Sequence, residues 1–451
     1  MNIENILNQI SSHVWGPITL SLLLGVGIYL MFLLKGFPLL KINIGLQSLF
    51  KKSDNKNDGD ISPFESLMTA LSGTVGTGNI AGVATAIFLG GPGAIFWMWV
   101  TALFGMATKY GEAFLAVHYR EKNPSGNIVG GPMYYIKNGL DKKYHFLAYL
   151  FAFFGMVAAF GIGNSVQSNS VAQVLKIELG LSTIISGLVL ALLVTLVIIG
   201  GISSIGKAAS KLVPTMSLLY VFGGLYIIFA NLDEIPEIFN MIISSAFSPV
   251  AASGGFAGAS IWMAIRFGVS RGVFSNEAGL GSSPIAHAAS KTNNPVMQGT
   301  ISMLEPLIDT LLICTITSFV ILIGDNWLSG VNGAALTSLA FNSGMPIVGK
   351  YIVILGLVLF AFSTIIGWSY YGEKCAEFLF GNKIIKTYRL LWILIIPIGA
   401  TTDLNLIWLI ADIMNGLMAI PNLIALLLLS PIIYKTTNSY LIKKNDARQS
   451  R

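Results

Sequence analysis

Charge is what this sequence has least of. Of 451 residues only 11% are Asp, Glu, Lys or Arg, while 54% are hydrophobic; a soluble domain carries roughly 25% charged residues. A chain so poor in charge cannot cover its surface with polar groups, which excludes a soluble globular protein and makes lipid its natural solvent. The mean hydropathy of +0.72 agrees. Cysteine is nearly absent: Cys314 and Cys375 cannot build a disulfide framework, and neither sits at metal-ligand spacing. Histidine is scarce too. His13, His118, His145 and His287 fall near the ends of apolar runs, without an HExxH or GxSxG arrangement, so an enzyme is not expected. No Lys or Arg precedes the first apolar run, Val14 to Leu34, and no small-residue cleavage pattern follows it, which argues against a signal peptide.

What is present is a succession of apolar runs. About 20 apolar residues cross the hydrocarbon as a helix. Eleven candidate spans fit, at 14–35, 62–88, 92–118, 145–175, 182–201, 212–231, 255–288, 299–324, 351–372, 386–401 and 404–434. The last contains Pro421 and reads as one kinked helix or two short ones. Two stretches, 235–250 and 335–341, read as surface-lying segments. With the N-terminus outside and the sides alternating, 22 of the 27 Lys and Arg residues fall inside, and only Lys176 and Lys350 outside. The net charge of +6 is therefore a topology signal of the positive-inside kind, and a nucleic-acid partner is not expected. This predicts a multi-pass protein of the cell membrane with a cytoplasmic C-terminus.

Two spans are not continuous apolar helices. In the second, Ser72-Gly73-Thr74-Val75-Gly76-Thr77-Gly78-Asn79-Ile80-Ala81-Gly82 concentrates glycine at mid-span. In the seventh, Phe267 to Gly279 (FGVSRGVFSNEAG) does something similar with charges added. Each glycine inside a helix costs about 1 kcal/mol relative to alanine, and unwound backbone at membrane depth survives only where it lines a cavity or is buried in protein. Tight helix packing is explanation enough for Gly25, Gly27 or Gly187. It does not call for Asn, Ser, Arg and Glu beside the glycines. A displacement of 197 positions lays Asn79 on Asn276, Ala81 on Ala278 and Gly82 on Gly279. Each motif opens a set of five spans, so the second set enters the membrane upside down relative to the first. Paired broken helices in inverted halves point to a transporter's binding site.

The organisation expected is an extra N-terminal helix and polar cytoplasmic linker (1–61), a first repeat (62–232), an amphipathic connector (233–254), a second repeat (255–434) and a cytoplasmic tail (435–451).

The run SGTVGTGNIAG, the loop GGPMYYI (Gly130 to Ile136) and RGVFSNEAGLGSSPIAHAA (Arg271 to Ala289) resemble the alanine/glycine:cation symporter family, over essentially the whole chain. The resemblance implies an all-α integral membrane protein of about 11 helices, with the five-plus-five inverted-repeat fold of the leucine transporter LeuT and two discontinuous helices. It also implies sodium-driven uptake of alanine or glycine. By this resemblance the amides of Thr77 and Gly78 hold the substrate carboxylate, with Thr74, Gly76 and Asn79 beside them. The half-helix beginning near Asn79 would offer unpaired N–H groups and about half a positive charge. Carbonyls released around Ser72 to Val75 would accept an ammonium or a bare cation. The resemblance further implies a sodium site of hard oxygen ligands: the carbonyls of Ser72, Val75 and Phe360 and the hydroxyls of Ser363 and Thr364. Back-bonding to the preceding turn is the other role open to those hydroxyls.

Among polar residues of the fourth span, Gln167 is expected at the substrate, and Asn164 either there or between helices. Trp368 shares a face with Thr364 and would cap a small pocket. Phe267, Gly268 and Ser270 are substrate candidates from their place at the second break. Charges within spans cost about 2.5–3.5 kcal/mol each at the bilayer centre on insertion scales, so they should be paired or face water. Lys109 and Glu112 are spaced to pair with each other, Glu305 and Asp309 put two acids on one face, and Arg271 and Glu277 flank the second break. A carboxylate such as Glu277 leaves proton coupling open as an alternative to sodium. A channel, the other class that uses glycine-rich broken helices, is usually built from repeated subunits.

Overall fold

The computed structural model describes residues 3–50, 58–402 and 405–449. Residues 51–57, most of the expected linker, lie outside that description, as do 403–404 at the start of the last span and the final two residues of the tail. Among the described residues the one sheet is a short ribbon, Glu121–Lys122 against Ile128–Val129; the rest is helix and connections.

The longer elements run α1 (Ile3–Val14), α2 (Pro17–Leu33), α3 (Pro63–Thr74), α4 (Val83–Gly90), α5 (Gly93–His118), α6 (His145–Ala158), α7 (Val166–Leu179), α8 (Thr183–Ile198) and α9 (Gly201–Ala230). The second half holds α10 (Ile261–Asn276), α11 (Pro284–Ala288), α12 (Thr315–Leu322), α13 (Gly333–Gly344), α14 (Val348–Phe380), α15 (Ile384–Thr401) and α16 (Asn405–Gln449). The last span is thus one helix, with Pro421 and Pro431 inside it.

By length and apolarity seven helices of the described residues can cross a membrane, or eight when α3 and α4, bent by 51°, count as one span. The difference from eleven has physical causes. Helix α5 carries Lys109 and Glu112, both fully buried, and α10, which packs along it, stops at Asn276. Sheathed in protein, these two need not be apolar throughout. Helix α8 has only 16 residues, yet it is apolar all round. It turns Leu190, Val194 and Ile198 inward and Leu188, Leu192 and Leu196 outward, as a helix between protein and lipid does.

Helix α3 starts at a capping box: Glu65 N donates to Ser62 Oγ and Ser62 N donates to Glu65 Oε2. Just before it, the amides of Asp60 and Ile61 both donate to Ala289 O, and Lys291 N donates to Ile61 O. The inner ends of the two interrupted spans are therefore clipped together. Both surface segments form helices with one buried face: Ile235–Phe247 buries Ile238 and Ile242, and α13 buries Leu336 and Phe341. Helix α13 also reaches the first break, where Thr337 Oγ1 donates to Ile80 O at 3.0 Å.

Candidate functional site

At the first interruption an amide changes partner. In an unbroken helix the Gly76 amide would bond to Ser72 O; instead it donates to Asn79 Oδ1 at 2.8 Å, while Val75 N closes the last turn of α3 on Leu71 O. Val75 is extended (ψ 95°). The Ser72 carbonyl is thereby released, and Thr77 and Gly78 open a new, wide-turned helix whose first amides have no partner within it. Asn79 is fixed from the other side. Its Nδ2 donates to Asp309 Oδ1 at 2.6 Å, and the other Asp309 oxygen accepts from Ser275 Oγ (2.8 Å) and Thr310 Oγ1 (2.7 Å). One buried carboxylate thus ties the first break to the end of α10.

The second interruption obeys the same rule. Asn276 Oδ1 accepts the Ala278 amide at 3.0 Å, and its Nδ2 donates to Thr310 Oγ1 at 3.1 Å. Both asparagines of the 197-residue echo therefore serve an amide freed at their own break and reach the same wide-turned segment, Leu307–Cys314. The opening falls later than the sequence suggested. Helix α10 runs unbroken through Phe267, Gly268 and Ser270 to Asn276. Backbone leaves the helix at Glu277 (φ 55°) and stays irregular to α11, with Gly279 at φ 90° and Gly281 at φ 82°. Gly268 is a packing residue: a Cβ there would sit 2.3 Å from Ala94 O of α5. The unwound stretch is buried, as membrane depth demands. Gly279 N donates to Glu112 Oε1, and Gly279 O accepts from Asn422 Nδ2.

Helix α14 faces the first break. Ser363 Oγ and Thr364 Oγ1 both donate to Phe360 O, at 2.8 and 3.0 Å. Back-bonding and ion binding are compatible, because hydroxyls whose protons are committed still present lone pairs. The Thr364 hydroxyl stands against the break: a Cβ added to Gly76 would lie 2.6 Å from it. From α7, Gln167 Nε2 donates to Thr77 Oγ1 (3.3 Å) and Ile162 O (3.1 Å), while its buried Oε1 has no hydrogen-bond partner among the described residues. Asn164 takes no part; its Nδ2 donates to Trp392 O on α15. Trp368 packs its Cβ close to Gly163 and donates Nε1 to Glu277 Oε1 at 3.0 Å, bridging α14 to the second break.

A profile of the sodium:alanine symporter family matches residues 1–451. The chain belongs to that family. The sodium/alanine symporter AgcS of Methanococcus maripaludis is 50% identical, with both chains covered in full. An uncharacterized transporter of Haemophilus influenzae is 48% identical over 98% of this chain and 96% of its own. Among solved structures MhsT, crystallised with L-phenylalanine, superposes with a TM-score of 0.60 at 12% identity, covering 82% of this chain and 89% of that one. At that identity the likeness concerns the fold, which is that of the LeuT-type transporters. The chain is thus a multi-pass membrane protein among amino-acid symporters.

The buried charges of this family member pair differently from the spacing-based expectation. Lys109 reaches Glu305 Oε2 at 2.9 Å and Ser283 Oγ at 2.7 Å, not its helix neighbour Glu112. Glu305 Oε1 also contacts His287 Nε2 (2.6 Å) and accepts from Ser302 Oγ (2.6 Å). Glu112 instead accepts from Asn422 Nδ2, which Tyr135 holds through the other amide atom. Glu305 and Asp309, although four apart, serve different networks. Asp309 in particular was visible in the sequence only as a mid-span acid, with nothing to show that it reaches Asn79.

These assignments separate two neighbours. A Gln167→Ala variant is expected to raise the KM for substrate roughly ten-fold or more, the worth of a hydrogen bond to a charged group, with little change in melting temperature. Asn164→Ala should do the reverse, costing about 1 kcal/mol of stability and leaving KM unchanged. Uptake kinetics beside thermal melting of both variants would check this.

Proposed function

We propose that this chain is a sodium-coupled symporter that brings alanine, and glycine, into the cell by alternating access. The observation that carries the reading is the opened backbone at Gly76. It sets the Ser72 carbonyl free on one side, the Thr77 and Gly78 amides on the other, and the Thr364 hydroxyl against the gap. The substrate carboxylate is bound at the Thr77 and Gly78 amides, where a helix start favours negative charge. Thr74, Gly76 and Asn79 shape the break, the unpartnered Gln167 Oε1 accepts from the substrate ammonium, and Trp368 closes the site from α14. Sodium is held by the carbonyls of Ser72, Val75 and Phe360 and the hydroxyls of Ser363 and Thr364, an all-oxygen set suited to a hard cation.

In this reading the chain has eleven spans, one N-terminal and ten in two inverted sets of five, with the N-terminus outside and the C-terminus in the cytoplasm. Cavities at both ends support alternating access. One of about 350 Å³ reaches Thr77 between α7, α13 and α14, and another of about 440 Å³ is lined by Asp60, Glu373, Lys374 and Arg389 at the inner end. Binding of labelled alanine to purified protein tests the reading: sodium should raise the affinity, whereas equal binding in choline would sink the coupling. One observation favours a second reading. Glu277 sits in the second break, bonded to Trp368 of α14, where a carboxylate can carry a proton in place of sodium.

A further inference from the structure

Beside α10, on the far side of Phe274 from Gly78, lies a cavity of about 90 Å³. Phe274 is the partition: a Cβ on Gly78 would lie 3.4 Å from its ring, and the ring's environment also includes Trp408, stacked at 6.3 Å. The other walls include Arg266, Ser270, Arg271, Asp412 and Ser11. The cavity is therefore bounded by α10, the start of α16 and the N-terminal helix α1, the end of the molecule that the topology places outside.

Its charges are not spent on one another. Arg271 Nε is buried without a hydrogen-bond partner among the described residues. Its guanidinium lies over the Phe274 ring, 5.7 Å from the centroid, as Arg266 lies over Phe267 at 5.5 Å. Across the cavity Asp412 Oδ2 accepts from Ser11 Oγ at 3.0 Å, and Trp15 Nε1 donates to the Asp412 carbonyl, which holds this carboxylate in place. The ion pairs of the described residues lie elsewhere, so Arg271 and Asp412 face each other without closing to contact. Opposite fixed charges kept apart by a small cavity match a small zwitterion: a guanidinium takes a carboxylate through paired N–H donors, and the opposing carboxylate takes an ammonium. A water needs about 15 Å³ of such space, so the volume suits roughly six non-hydrogen atoms, the number in alanine.

We propose that this cavity is a second, outer amino-acid site, in which a small neutral amino acid docks on Arg271 and Asp412 before passing Phe274 to Gly78. The proposal rests on the amino-acid transport reading but not on its coupling ion. It also gives a role to Phe267 and Ser270, which line this cavity and not the unwound backbone.

The test is thiol labelling of a Ser270→Cys variant in proteoliposomes; the native Cys314 and Cys375 are buried and silent. Alanine should slow modification by a small polar thiol reagent, by about ten-fold at ten times its Kd. The protection should persist without sodium and in a Ser363→Ala/Thr364→Ala background, and Arg271→Gln should abolish it. Protection that needs both sodium and the intact hydroxyl pair would overturn the proposal, since it would then report closure over the inner site. Equal protection by chloride or acetate would reduce the cavity to an anion hole and overturn it too. Protection without any alanine uptake would keep the outer site and remove the transport reading; uptake without protection would do the opposite.

Discussion

Replacing Lys109 by methionine is expected to cost about 3–5 kcal/mol of stability, the penalty for stranding a buried partner charge. Lys109 and Glu305 have no exposed side-chain surface and meet at 2.9 Å. Glu112 and Glu277 are buried in the same region, so the ammonium is the cation that three carboxylates share. Its loss also frees Ser283, where the irregular stretch after α10 enters α11. Thermal denaturation in detergent would show the loss, and adding Glu305→Gln should recover part of it. A single variant within about 1 kcal/mol of the parent, the size of an exposed ion pair, would mean that the network does not hold the inner half together.

The second large effect concerns the hydroxyl pair on α14. Ser363 and Thr364 spend their protons on Phe360 O and have no other hydrogen-bond partner among the described residues. Converting both to alanine removes two oxygens from the region facing Gly76 and leaves the backbone as it is. Bonds to a charged species are worth about 1.5–3 kcal/mol each, so sodium-dependent alanine binding should weaken roughly ten- to a hundred-fold per hydroxyl. The melting temperature without sodium should stay within a few degrees of the parent. Unchanged sodium dependence would confine the hydroxyls to back-bonding and move the ion elsewhere.

The first break was legible in the sequence because Gly76, Gly78 and Asn79 are each a poor choice for a helix interior, and their physical roles are local. The second was legible only in part. Gly268 and Gly272 look like breakers, but they let α10 approach α5, where a Cβ on either would fall 2.3 Å from an oxygen. The actual opening uses Glu277, Gly279 and Gly281, held by Glu112 and Asn422 from distant helices. No local pattern announces such partners. The same limit explains Lys109, whose helix neighbour at three positions was the natural guess while its true partner is 196 positions away. The asparagine echo fared better, since its meaning is geometric: both side chains patch a freed amide and reach the segment that carries Asp309 and Thr310.

The central claim is tested most directly by uptake of labelled alanine into proteoliposomes of the purified protein, under an imposed sodium gradient and, in parallel, a proton gradient alone. Saturable uptake that needs sodium and is lost in the Ser363→Ala/Thr364→Ala variant is the predicted result. Uptake driven by protons alone, and indifferent to those two hydroxyls, would contradict it.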